Sequence, residues 1–258
     1  MRLCFIADGT SVHTKRWINY FAGKGHEVHL ISSRLPEGGH EGFDREVRIY
    51  PLVRLLPNFW RLSGFFSGVM WLPQVRKLVR EISPDILNAH YIKVPAYLAV
   101  ASSFHPLVLT AWGNDILVDP KQSMIWRFLA KYSLRKADIV ICVSSALKEE
   151  IVKLGTDPGR IEITSIGIDT ERFGKKFKNE ALLRELGMVD SPVVISTRTL
   201  DPIYSLETLI RAIPAVLSEV PEAKFIIIGK GEERHYLDNL APRLGRPDHV
   251  KFIGCTST

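Results

Sequence analysis

The sequence predicts an α/β protein with two Rossmann-like lobes, each a doubly wound parallel sheet, of which the second is incomplete. Short apolar runs of strand length alternate with segments of helical period along most of the 258 residues. A glycine-containing stretch, ITSIGIDTERF at 163–173, separates one full series of such units from a shorter second series. We interpret this stretch as a hinge with the functional cleft beside it; a turn within one domain is the alternative.

The first lobe is predicted to cover residues 1–165. Its strand–helix–strand units favour right-handed crossovers and parallel pairing, so ligand-binding groups are expected at the carboxyl ends of the strands. The predicted strands cover 3–7, 26–32, 46–52, 86–89, 107–110 and 139–143, and the predicted helices cover 14–24, 65–81, 95–103, 125–137 and 145–154.

Residues 166–258 are predicted to contain the hinge and the first half of the second lobe. Because consecutive units on one side make only half of a doubly wound domain, we expect the last strand to expose an apolar edge. The predicted strands cover 193–197, 224–229 and 249–254, and the predicted helices cover 175–187, 206–219 and 233–244.

The composition indicates a globular protein that favours anionic partners. Lys and Arg total 34 against 28 Asp and Glu, a net charge of +6. This excess suits phosphates, nucleotides or acidic lipids and is too small to indicate nucleic acid, so no nucleic-acid partner is expected. Cys4, Cys142 and Cys255 are far apart and show no metal spacing, which favours buried reduced thiols and a cytoplasmic protein.

The loop after the first predicted strand contains Gly9, Ser11 and His13. A glycine here allows backbone N–H groups to approach an anion, and the following helix presents its positive end. A dinucleotide fingerprint is not supported, because GxGxxG is absent. A tight turn with a helix cap is the alternative.

Polar residues also follow the fourth and fifth predicted strands. His90 follows the fourth, while Asn114 and Asp115 follow the fifth. An imidazole and a carboxylate at neighbouring strand ends could orient a substrate hydroxyl or exchange its proton. The alternatives are a packed, hydrogen-bonded histidine and two residues that cap the next helix.

The predicted second lobe has its own polar strand ends. Arg198 and Tyr204 follow its first strand, and Gly229 and Gly231 follow its second. An arginine fork facing a cleft suits a diphosphate, which it pairs bidentately. The GKG sequence is not a P-loop, because GxxxxGK[ST] is absent. A surface ion pair of Arg198 is the alternative.

The sequence resembles the retaining glycosyltransferases of family 4, which have the two-lobed GT-B architecture. The matching segments are SVHTKRWINYFAGKGHEVHLIS, LTAWGNDIL, ADIVICVSSALKEEI, SIGIDTERF, STRTLDPIYSLETLIRAI and FIIIGKGEE. The resemblance implies transfer of a sugar in cell-envelope polysaccharide synthesis, without a metal cofactor. It places a glycan or lipid-linked acceptor in the first lobe, where the residues Gly9, Ser11, His13 and Trp112 would approach either the acceptor or the donor diphosphate. It places a nucleotide-diphosphate sugar in the second lobe, with Arg198 on the donor phosphates.

Three departures from the family pattern affect this interpretation. Many members have a His where this chain has Trp112, so the catalytic role of that loop falls to Asn114, Asp115 or backbone groups, or is lost. Many also have a Lys shortly after the Arg, where the best match here is Tyr204. The family's paired glutamates have no counterpart in these 258 residues. A non-catalytic binding or regulatory protein that keeps the acceptor site is therefore the alternative function.

Residues 55–80 combine aromatic and basic side chains, a composition suited to a membrane interface. This segment predicts a peripheral contact with the inner face of the membrane and a lipid-linked acceptor. An apolar helix packed on the first sheet is the alternative. No uninterrupted apolar run is long enough to span a bilayer.

Overall fold

The computed structural model describes residues 1–53, 68–171, 173, 179–244 and 247–254. The chain divides into two compact units, Met1–Ile168 and Asp169–Thr258. Each unit is an α/β layer structure built on a parallel sheet, as the sequence predicts. Cys255 and the first half of the predicted membrane-contact segment 55–80, residues 55–67, lie outside the described residues.

The first unit contains a seven-stranded parallel sheet in the order β3-β2-β1-β4-β5-β6-β7. The chain order reverses between β1 and β4, and such a reversal opens a crevice at the carboxyl ends of the strands. The final strand, β7, ends at Ile163, the first residue of the segment interpreted as the hinge. The strands are β1 (Arg2–Ile6), β2 (Glu27–Ser32), β3 (Arg48–Pro51), β4 (Ile86–His90), β5 (Leu107–Thr110), β6 (Ile139–Cys142) and β7 (Ile161–Ile163).

Helices of the first unit follow the strands in the predicted order. Two one-turn helices, α4 and α5, were not predicted, because four residues are too few to show a helical period. The helices are α1 (Val12–Gly23), α2 (Leu72–Ile82), α3 (Val94–Ala101), α4 (Asn114–Leu117), α5 (Asp119–Gln122), α6 (Met124–Lys136) and α7 (Ser145–Lys153).

Apolar residues at helical spacing pack on both faces of this sheet. On α2, Val75, Val79 and Ile82 share one face and are buried in the larger core. On α1, Ile18 and Ala22 pack in a second cluster on Phe5. The described part of the segment at 55–80 therefore turns its apolar face toward the core. The membrane contact predicted for that segment remains a prediction.

The second unit contains a three-stranded parallel sheet in the order β10-β9-β8. The last strand, β10, lies at one edge of this sheet, as expected, and β8 lies at the other. Val194 and Ile195 of β8 are 40% and 57% exposed, whereas Val250 of β10 is 9% exposed. Apolar side chains are thus more exposed on β8 than at Val250 of the last strand. The elements are β8 (Val193–Ser196), β9 (Lys224–Ile228), β10 (Val250–Ile253), α8 (Glu180–Leu186), α9 (Leu206–Glu219) and α10 (Arg234–Arg243).

Two of the three cysteines are buried free thiols, as predicted. These are Cys4 and Cys142. Burial raises the pKa of the Cys4 thiol to about 12, so this thiol is unreactive at neutral pH. Within the described ranges, none of the helices has the length and apolar character needed to span a bilayer.

Candidate functional site

A cavity of about 570 Å³ lies at the carboxyl ends of β1, β2, β4 and β5 in the first unit. Its volume matches the range of small-molecule sites, roughly 300 to 1,000 Å³. Aromatic and aliphatic side chains form most of the wall, among them Leu52, Trp71, Leu98, Trp112 and Trp126. The polar side chains in the wall include Asp8, Ser11, Arg34, His90 and Lys93.

His90, the last residue of β4, is 2% exposed. Neither of its ring nitrogens has a hydrogen-bond partner among the described residues. The edges of Phe5, Trp17 and Trp112 meet the imidazole at centroid distances of 5.6, 5.4 and 5.4 Å. Burial lowers the pKa of His90 to about 3, and the charge of nearby His13 adds to this effect. The ring is therefore neutral at physiological pH, with one N–H donor and one bare acceptor nitrogen.

Asp115 links the loops that follow β4 and β5. Its Oδ2 accepts the Ile92 N–H at 2.8 Å. Its Oδ1 accepts the N–H groups of Gly113 at 2.8 Å and of Trp112 at 3.1 Å. Burial raises the pKa of Asp115, and these backbone N–H groups oppose that shift. The contacts make Asp115 a positioning residue for the loops around the cavity.

Asn114 is separated from the other predicted residues of this loop. It is the first residue of α4 and is exposed. It is not among the residues that line the cavity. The structure thus brings His90 and Trp112 together in the cavity wall and leaves Asn114 on the surface. The predicted catalytic roles of Asn114 and Asp115 remain predictions.

His13 and Trp112 form a stacked pair with centroids 4.5 Å apart and planes 19° apart. Trp112 faces the cavity, whereas His13 contributes to a second pocket of about 460 Å³ between α1 and residues 164–167. In that pocket, the Arg16 guanidinium donates a hydrogen bond to the Gly167 carbonyl. Burial lowers the pKa of His13, and the Arg16 charge contributes to the lowering. The stack therefore connects the walls of two neighbouring pockets.

The backbone N–H of Gly9 is already hydrogen-bonded to groups within the protein. It donates to the Ser32 hydroxyl at 3.0 Å and to the Arg34 carbonyl at 2.9 Å. Ser11 is the N-cap of α1, and its side chain makes no capping hydrogen bond. The first turn of α1, rather than Gly9, is thus the source of backbone donors for an anion at this loop. Anion binding here remains a prediction.

In the second unit, the structure brings together all of the predicted donor-site residues at the ends of β8 and β9. The Arg198 guanidinium lies 5.6 Å from the centre of the Tyr204 ring. A Cβ on Gly229 would overlap the carbonyl oxygen of Arg198, and one on Gly231 would overlap that of Leu200. The glycines therefore allow the two loops to touch, which fixes the backbone that bears Arg198.

Three notable residues were not predicted. Lys93 pairs with Asp119 at 2.8 Å, and its ammonium lies 5.0 Å from the centre of the Trp126 ring. The position of Lys93, just after a strand-end histidine, was the available signal. Glu233 is the N-cap residue of α10, and its buried Oε2 has no hydrogen-bond partner in the part of the chain that the structure describes. Across the same described ranges, no group of three or more His, Cys, Asp or Glu side chains could hold a metal ion.

Comparisons with known proteins identify relatives over nearly the whole chain. An uncharacterized glycosyltransferase from Methanocaldococcus jannaschii is 25% identical over 96% of this chain and 66% of its own length. A GDP-mannose-dependent phosphatidylinositol monomannoside mannosyltransferase from Mycobacterium tuberculosis is 30% identical over 94% of this chain and 63% of its own length. The chain thus spans less than two thirds of the length of these relatives.

A solved structure supports the fold assignment. The crystal structure of HepE from Anabaena with UDP-glucose has a TM-score of 0.76 at 19% identity, covering 100% of this chain and 70% of that one. Residues 179–258 match the family model for glycosyl transferases group 1, and residues 2–144 match the model for glycosyl transferase 4-like proteins. The match over residues 2–144 covers more than half of the sequence, so the chain belongs to the glycosyl transferase 4-like family.

Proposed function

We propose that the protein to which this chain belongs transfers a sugar from a nucleotide-diphosphate sugar to a hydroxyl group of a glycan or lipid-linked acceptor. The transfer retains the anomeric configuration and serves cell-envelope polysaccharide synthesis. The UDP-glucose complex of HepE and the named mannosyltransferase relative support this choice of donor and acceptor classes.

The state of His90 is the observation on which the proposal depends. A neutral imidazole with both nitrogens unpartnered needs a group that both donates and accepts a hydrogen bond, because an unsatisfied buried polar group is costly. A hydroxyl group meets both requirements. The aromatic wall around it suits the apolar face of a sugar ring or an attached lipid. We therefore assign the cavity to the acceptor.

In this proposal His90 orients the acceptor hydroxyl and does not act as a base. With a pKa of about 3, protonating its ring at pH 7 would cost roughly 5 kcal/mol. A general base works best when its pKa is near the working pH. The Asp115 carboxylate is occupied by backbone N–H groups and holds the loops in place.

The donor diphosphate is assigned to the second unit, at Arg198. The bond between the anomeric carbon and the diphosphate oxygen breaks, and its electron pair passes to the diphosphate. The acceptor oxygen bonds to the anomeric carbon, and its proton passes to the released diphosphate. Arg198, steadied by the Tyr204 ring, stabilises the charge that develops on the leaving group. In this scheme no resident metal takes part.

A transfer assay with product analysis tests the proposal. Purified protein of full natural length is incubated with nucleotide-diphosphate sugars and with glycan or lipid-linked acceptors, and the anomeric configuration is read by NMR. We expect a retained glycoside and unchanged transfer after addition of a chelator. The variant His90→Phe should lose acceptor binding while keeping nucleotide binding. Donor binding without transfer to any acceptor would instead favour the non-catalytic alternative.

A further inference from the structure

The outward side of α6 has an unusual concentration of exposed apolar side chains. Met124, Ile125, Phe128 and Tyr132 are 83%, 60%, 70% and 40% exposed. Successive residues on an α-helix are about 100° apart, so positions 124, 128 and 132 form a continuous strip with residue 125 beside it. Large exposed apolar patches mark interaction surfaces rather than ordinary protein surface.

Cations accompany this apolar strip. Arg127, Lys131 and Arg135 recur at the same four-residue spacing along one side of it, and all three are exposed. Lys136 continues the row of positions 124, 128 and 132 at the last turn of the helix and is also exposed. The helix has no Asp or Glu, and no carboxylate in the described ranges forms an ion pair with these cations. We call these apolar and basic residues together the outer face of α6.

The opposite side of α6 belongs to the fold. Leu129, Ala130, Ser133 and Leu134 are buried, and Ala130 and Leu134 are part of the larger core of the first unit. Trp126 reaches the cavity wall from this side. The helix is therefore held in place without its outer face, whose exposed side chains are not needed for packing.

We propose that the outer face of α6 docks the protein on an anionic lipid bilayer. The apolar strip would enter the boundary between headgroups and acyl chains, and the flanking cations would contact acidic headgroups. Charge complementarity selects this occupant. A second copy of the chain would bring the same cations against each other across a two-fold interface, and this repulsion disfavours self-association. Its residues differ from those of the contact predicted at 55–80.

Vesicle co-sedimentation at low salt tests the proposal without a nucleotide sugar, so its outcome does not depend on the proposed transfer reaction. We expect the protein to bind vesicles of phosphatidylcholine mixed with phosphatidylglycerol and to bind pure phosphatidylcholine far more weakly. Raising the salt from about 0.1 M to about 1 M shortens the screening length from about 10 Å to about 3 Å. Binding to the mixed vesicles should fall accordingly.

Matched variants distinguish binding through the outer face of α6 from binding through the net positive charge of the whole protein. Replacing Arg127, Lys131 and Arg135 by Gln should weaken binding on the order of a hundredfold, since each cation near an anionic surface contributes about fivefold. The control replaces three exposed arginines elsewhere by Gln, which changes the net charge equally and should leave most of the binding. The control positions are Arg45, Arg160 and Arg243.

The apolar contribution has its own pair of variants. Phe128→Ser should weaken binding by about tenfold or more, because a large side chain no longer enters the bilayer. Tyr236→Ser, at a 41% exposed position on α10, is the control. Thermal unfolding should change little for these variants, since the changed side chains are exposed; Tyr236→Ser also loses surface hydrogen bonds with Glu207 and Arg211. The proposal is overturned if the wild type ignores acidic vesicles, or if the α6 variants bind like their controls. A dimer abolished by Phe128→Ser, without vesicle binding, would identify a protein interface and also overturn it.

Discussion

The Asp115 carboxylate holds the backbone of Ile92 at 2.8 Å, although the two residues lie on loops that follow different strands. The same carboxylate accepts N–H groups of its own loop, at Gly113 and Trp112. One buried side chain therefore fixes the positions of two of the loops that border the first-unit cavity, those after β4 and β5. Burial raises the pKa of Asp115, and the hydrogen bonds from these backbone N–H groups, which favour the charged carboxylate, oppose that shift.

Removing this carboxylate should destabilise the first unit. Asp115→Ala leaves buried N–H groups without acceptors, at about 1 to 3 kcal/mol for each group, so we expect the free energy of unfolding to fall by about 3 kcal/mol or more. Asp115→Asn keeps one acceptor oxygen, so its free energy of unfolding should fall by less than that of Asp115→Ala. The exposed neighbour Asn114→Ala is the control and should change stability by less than about 0.5 kcal/mol. Urea denaturation measures all three; equal stability of Asp115→Ala and wild type would contradict the assignment.

Acid should destabilise the protein through His90. The folded-state pKa of about 3 lies below the ordinary value of 6.5, so the neutral ring is favoured by folding. The stability from this difference is fully present above pH 6.5 and is lost as the pH falls from 6.5 toward 3. The expected loss is about 1.4 kcal/mol per pH unit in that window.

The variant His90→Phe isolates this effect. It removes the titrating group, so its stability should vary less with pH between 6.5 and 3 than that of the wild type. Denaturant unfolding at a series of pH values gives both curves. NMR of labelled histidine should also show a neutral His90 ring at pH 5. Parallel curves for the two proteins, or a His90 that titrates near pH 6.5, would show that the ring is not desolvated as the structure indicates.

Arg198 should contribute directly to nucleotide affinity. Charge-assisted hydrogen bonds are worth roughly 1.5 to 3 kcal/mol, so Arg198→Ala should weaken nucleotide-diphosphate binding by about tenfold or more. Arg198→Lys keeps the positive charge but loses the forked guanidinium, so its nucleotide affinity should lie between those of the wild type and Arg198→Ala. Arg243→Ala, at the end of α10, is the control for a lost arginine in the same unit. Calorimetry on the full natural chain measures the affinities, and an unchanged value for Arg198→Ala would reject the role.

The sequence by itself determined the order and type of nearly all the longer elements. Parallel strands buried on both faces appear as continuous apolar runs, such as 107–110, and helices such as α9 show an apolar face at helical spacing. These signals are local, since each depends on residues within one or two turns. The strand-end positions of His90, Arg198 and their neighbouring loops followed from the same pattern, because parallel strands end at one edge.

The tertiary structure decided what those residues can do. The neutral state of His90 arises from rings on β1, α1 and the loop after β5, which are distant in sequence. The amide of Gly9 is occupied by Ser32 at the end of β2 and by Arg34 just after it, and the position of β8 at an edge of its sheet depends on how the three strands pair. The outward direction of the apolar strip on α6 depends on which face the core covers. Burial and partner choice are non-local properties, and for that reason only the folded chain determines them.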